Sequence, residues 1–147
     1  MTTDPLDQDV FEPTLADVFG PVVHTYSRTD AIADGVLVDV SALAADAGFR
    51  YPVAITRAAW ADCVAWTDDD TARQVHQDET GRLWDVLWMA HMAIRRVRNP
   101  DHQLFFELLR VPRDGHSTEA VETRLQVVAG PGDHGEPVLT ILLPGED

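Results

Sequence analysis

Gly81-Arg-Leu-Trp-Asp-Val-Leu-Trp-Met-Ala-His-Met-Ala-Ile-Arg-Arg-Val-Arg98 decides the fold. Leu83, Val86, Leu87, Ala90, Ala93, Ile94 and Val97 recur every three or four residues and make one wide apolar face on a helix. Trp84, Trp88 and His91 add a second stripe beside it, which leaves few faces for water and places the helix at the centre of a core. From Arg82 to Val97 the helix would be roughly 24 Å long at 1.5 Å per residue. Thr80 is positioned to cap its start, and Arg95, Arg96 and Arg98 suit the negative end of its dipole. Asp85, on a helix that otherwise avoids acids, is expected to be partly buried against an arginine, Arg28 or Arg57.

Upstream, the signals are short. Residues 1–12 are acidic and aperiodic and read as a disordered tail, with one α+β domain over 13–147. Thr14, Ser27, Ser41, Thr56 and Thr67 each precede a short helical stretch as caps. Val36-Leu-Val-Asp-Val40 and Val53-Ala-Ile55 read as brief strands. Cys63 reads as a small core residue, since nothing beside it would lower its pKa.

Downstream the period changes. Leu104-Phe-Phe-Glu-Leu-Leu-Arg-Val111 is nearly continuous in apolar residues and reads as a well-covered strand. Two alternating segments follow, one turning Leu125, Val127 and Ala129 inward and the next Leu139, Ile141 and Leu143, with turn chemistry between them. The expected architecture is α+β: several short helices and short strands, then a long central helix packed on a C-terminal antiparallel three-stranded meander.

The composition narrows the function classes. Of 147 residues 25 are acids and 11 are bases, all Arg, for a net charge of −14. The excess is steeper over residues 1–70, with thirteen acids and three arginines, than over 71–147, with twelve and eight. Such a surface repels nucleic acid and membrane phosphate and favours basic partners. No apolar run is long enough to span a bilayer, the N-terminal residues lack a signal-peptide pattern, and one cysteine excludes an internal disulfide, so a cytoplasmic location is expected.

Few motifs carry chemistry. There is no phosphate-binding glycine loop, no paired cysteines, no metal-spaced histidines and no nucleophile elbow, so neither a metal nor a cofactor is expected. Asp68, Asp69 and Asp70 are consecutive rather than alternating and follow Thr67, which suits a helix N-terminus better than calcium. Gly130-Pro-Gly-Asp-His-Gly135 could present amides to an anion, but Asp133 and Glu136 would repel it. Arg28, among Asp30, Asp34 and Asp39, reads first as part of an ion-pair network.

Five blocks carry a resemblance: Tyr26-Ser-Arg-Thr-Asp-Ala-Ile-Ala-Asp-Gly-Val-Leu-Val-Asp-Val-Ser41, Pro52-Val-Ala-Ile-Thr56, Gly81-Arg-Leu-Trp-Asp-Val-Leu-Trp-Met-Ala90, Val111-Pro-Arg-Asp-Gly115 and Gly130-Pro-Gly-Asp-His-Gly-Glu-Pro-Val138. Over about residues 20–147 the chain resembles an uncharacterised family of small acidic bacterial proteins often carried on plasmids, phages and other mobile elements. The resemblance brings no activity and no catalytic residues. It implies a setting in which small acidic proteins counter CRISPR or restriction defences.

Three functions follow as expectations. The first is a non-catalytic inhibitor that mimics nucleic acid toward a basic protein partner, a host defence complex, using Asp62, Asp68, Asp69, Asp70, Asp78 and Glu79 and binding no nucleic acid or membrane itself. The second is a small-molecule site or enzyme cleft lined by Tyr26, Arg28, Asp39, Trp84 and Trp88. The third is a homodimer through the tryptophan-rich face.

Overall fold

The structure is a computed structural model and describes residues 26–98 and 101–146. The expected tail and the helix expected after Thr14 lie outside the described residues. Ten elements follow in order: α1 (Arg28–Ala33), β1 (Leu37–Asp39), α2 (Ser41–Asp46), β2 (Val53–Thr56), α3 (Arg57–Cys63), α4 (Asp68–Arg73), α5 (Glu79–Arg96), β3 (Gln103–Arg110), β4 (Val121–Pro131) and β5 (Pro137–Leu142). They form a mixed α+β domain.

The sheet is larger than a three-stranded meander. It has five strands in the order β1-β2-β5-β4-β3. The three C-terminal strands pair antiparallel, and β2 joins them by running parallel to β5, with Ala54 opposite Thr140. β1 then pairs antiparallel with β2 at the far edge. The early strands are only three and four residues long, too short to suggest by pattern alone that β2 pairs with a strand that begins about 80 residues later.

Burial along β5 and β4 separates the two faces. Leu125, Val127 and Ile141 point into the main core with Val53 and Ile55 of β2, and Leu139 packs against it. Ala129, expected inward, is exposed, because the core ends before that position on β4. From α5, Leu83, Val86, Leu87 and Ala90 close this core. Fully burying one such side chain contributes about 1.5–3 kcal/mol.

The outer side of α5 departs from expectation. Trp84 and Trp88 are 36% and 42% exposed and stack on each other, rings 6.1 Å apart. The helix is therefore amphipathic rather than buried all round. Asp78, not Thr80, caps it, accepting from the Gly81 amide at 2.6 Å. Asp85 is exposed, and neither expected partner reaches it: Arg57 Nε donates to Gly35 O, and Arg28 binds Leu139 O and Thr140 Oγ1.

Local signals explain the shorter helices. Ser27 and Asp30 form a reciprocal capping box at α1, as Thr67 and Asp70 do at α4, and Thr56 caps α3 through the Ala59 amide. Ser41 is not the cap of α2 but its first residue; its hydroxyl donates to Asp39 and accepts from the Val53 amide. Gly35, at φ 76°, provides the left-handed turn between α1 and β1. Cys63 is 1% exposed, inside the core.

Candidate partner-binding surface

The acids expected to face a partner divide into two groups. Asp68 and Asp69 are exposed at the start of α4, where Asp69 meets Arg73 at 3.0 Å in a solvated i,i+4 pair. Asp78 and Glu79 are exposed at the start of α5. Glu79 accepts from the Trp66 amide at 3.3 Å, which brings the two helix starts together. Four exposed carboxylates thus lie at two adjoining helix starts.

Asp62 and Asp70 are held inside the protein's own contacts. Asp62 is half-buried and receives Arg110 Nη2 at 2.9 Å. Asp70 is buried; it accepts from the Thr67 amide at 2.8 Å and Thr67 Oγ1 at 2.9 Å and meets Arg113 Nε at 2.6 Å. Burial disfavours its ionised form, but the Thr67 and Arg113 contacts outweigh that and hold the carboxyl below its usual range. Asp70 therefore ties α4 to the loop after β3. That loop is also fixed by Gln74, whose amide nitrogen donates to Pro112 O and Ser117 O, both at 2.7 Å.

Arg82 is the hub beneath these acids, although sequence reasoning gave it no role. It is 4% exposed; Nε donates to Val64 O at 3.1 Å and Nη1 to Val111 O at 3.0 Å and Gln77 Oε1 at 2.5 Å. Its guanidinium lies 4.6 Å from the Trp66 ring centroid. A signal existed, since continuing the apolar stripe one turn back from Val86 lands on Arg82. Beside it, burial pushes the Cys63 thiol up to about 11, with the Asp62 charge adding to the effect.

The residues of the alternative cleft fall into two groups, with Arg28 and Asp39 near each other on one side of the sheet. Tyr26 donates to Asp34 at 2.7 Å and lines an open cavity of about 960 Å³ over the sheet face away from α5. Arg28 is bound into β5 on that same side, and Asp39 accepts from Ser41. Trp84 and Trp88 sit on the outer side of α5, across the sheet. Alternation along β5 causes the separation: Ile141 faces the α5 core, so Thr140, which holds Arg28, faces the opposite way.

The 130–135 loop serves the fold. Asp133 accepts from the Arg28 amide at 2.7 Å and the Thr29 amide at 3.0 Å, clamping α1 from across the sheet. The Gly132 amide is used by Glu136 O and the His134 amide by Glu136 Oε1, so these amides are unavailable to an anion. Among the described residues no group of three or more His, Cys, Asp or Glu is placed to hold a metal, and no helix is long and apolar enough to cross a membrane.

Fold and surface together define a small α+β protein with a carboxylate-rich end and two sheet faces. A family model described as a family of unknown function (DUF6573) matches residues 16–147, and the chain belongs to that family. No curated protein and no solved structure matches it.

Proposed function

We propose that the protein is a non-catalytic acidic binding protein whose carboxylate-rich end engages a basic surface on a cytoplasmic protein partner. What supports this reading is the gathering of Asp68, Asp69, Asp78 and Glu79, all exposed, at two adjoining helix starts in a chain of net charge −14. The sequence expectation also included Asp62 and Asp70, but Arg110 and Arg113 already neutralise those two, so the proposal rests on the other four. Carboxylates on a rigid scaffold can take the place of phosphates before an arginine cluster. The target this chemistry fits is a protein that itself binds nucleic acid. A restriction or CRISPR component is the case suggested by the resemblance to proteins of mobile elements.

Affinity capture from a host lysate at moderate salt tests the reading, comparing wild type with Asp68→Asn, Asp69→Asn, Asp78→Asn and Glu79→Gln combined. Asn caps a helix about as well as Asp, so the fold should tolerate the change. A basic, nucleic-acid-binding partner retained by wild type and lost by the variant supports the proposal. Equal retention by both removes it.

A further inference from the structure

Strand β3 lies at the sheet edge, and among the described residues β4 is its one hydrogen-bonded neighbour. One bond sets the phase of that ladder: the Ala129 amide donates to His102 O at 2.7 Å. In antiparallel pairing a residue's N–H and C=O point the same way, and alternate residues point oppositely. Leu104, Phe106 and Leu108 therefore bond to β4, while Phe105, Glu107 and Leu109 aim their backbone groups away from the sheet. No Pro, Lys or register break blunts this edge.

The outward row forms one wall of a groove of about 690 Å³. The other wall is the side of α5 that carries Asp85, Met89, Ala93 and Arg96. An open strand edge facing a helix is the geometry in which an extended peptide adds as a further strand. The charges around the groove select its occupant. Asp85 and Glu122 have no ion-pair partner among the described residues, and Glu107, although 3.6 Å from Arg124, keeps a side chain 54% exposed. Against these three acids stand two arginines, Arg96 in the groove and Arg124, whose guanidinium lies 4.2 Å from the Phe105 ring centroid.

We propose that this groove binds an extended segment of a partner protein, alternating apolar and basic residues, as a sixth strand beside β3. The apolar side chains would face Met89 and Ala93, and the basic ones would lie on the other face, beside Glu107 and Glu122. Leu109, 64% exposed, would be covered by the stem of one of those basic side chains, beside Phe105, which already carries the Arg124 guanidinium on its ring. The proposal rests on the basic-partner reading above and assigns it a second contact site.

The test uses the full chain and a blocked octapeptide of alternating Val and Lys. Its controls are the same peptide N-methylated at alternate residues, which keeps the charge but cannot form a ladder, and a Val–Glu version. Binding is followed by Trp88 fluorescence and by amide hydrogen exchange. The Val–Lys peptide should slow exchange at Phe105, Glu107 and Leu109 while leaving Leu104 and Phe106 unchanged. Methylation, or Glu107→Pro, should weaken binding at least about tenfold, the effect of losing one or two ladder bonds. Proline at Glu107 replaces an outward N–H and leaves the β4 ladder intact; should that variant not fold, the methylated peptide decides alone. Binding indifferent to methylation, or without protection of the outward amides, overturns the proposal. So does protection that rises with protein concentration without peptide, which would mean a second copy occupies the edge. If the groove fails while the combined Asp68, Asp69, Asp78 and Glu79 variant still loses its lysate partner, the acidic-end reading stands without it.

Discussion

Replacing Arg82 with Met should destabilise the protein by about 2–4 kcal/mol. Methionine fills much of the arginine stem's volume, but it withdraws donors from Val64 O, at the end of α3, and Val111 O, just after β3. Each buried carbonyl left without its donor costs about 1–3 kcal/mol. The contact with the Trp66 ring is lost as well, worth about 1–2 kcal/mol when desolvated. Part of this returns, because Arg82 is a buried cation with no carboxylate at ion-pair distance among the described residues, and its removal relieves a desolvation cost. Urea unfolding followed by tryptophan fluorescence measures the balance. At a slope of about 2 kcal/mol per M, the midpoint should fall by about 1–2 M. Arg82→Lys should recover less than half of the loss, because one ammonium cannot reproduce the forked geometry that spans both carbonyls. A Met variant within about 0.5 kcal/mol of wild type would refute the assignment of Arg82 as the hub.

Acid should unfold the protein through identified carboxylates. Asp133, held below its usual range by the Thr29 hydroxyl and the Thr29 and Arg28 amides, contributes stability that is present above its unfolded value of 3.8 and lost as pH falls through its lower folded value. Asp70 behaves in the same sense. The urea midpoint should therefore drop below about pH 4, and Asp133→Asn should flatten that slope. Cys63 acts at the other end of the scale: its folded value of about 11 exceeds the unfolded 9.0, so its contribution is full below pH 9 and is lost as pH rises toward 11. Cys63→Ala should flatten the alkaline slope, and a thiol reagent at pH 8 should label the native protein only as fast as it opens.

The sequence made the long helix and the C-terminal alternation legible because both are local patterns. Leu83, Val86, Leu87 and Ala90 face the core as their spacing requires, and the caps at Ser27, Thr56 and Thr67 form as their neighbours dictate. What could not be read depends on long-range pairing. The parallel β2–β5 contact joins residues more than 80 positions apart. Phe105 and Leu109 belong to an apolar run that suggested cover on both faces, yet β3 lies at an edge and its outer face is open. The six acids formed one set by type, but Asp62 and Asp70 differ from the rest because Arg110 and Arg113, distant in sequence, fold against them. The cleft residues Tyr26, Arg28 and Asp39 lie on one side of the sheet and Trp84 and Trp88 on the other, a separation set by strand alternation that no local pattern records.

The association rate of the captured partner, measured as a function of salt, tests the central claim most directly. Exposed charges are screened over about 8 Å at physiological ionic strength, so binding steered by Asp68, Asp69, Asp78 and Glu79 must slow steeply as salt rises. Double-stranded DNA should compete for the same partner, and the combined neutralising variant should show a much shallower salt dependence. A partner that associates at the same rate in low and high salt, and equally with wild type and variant, would contradict the account.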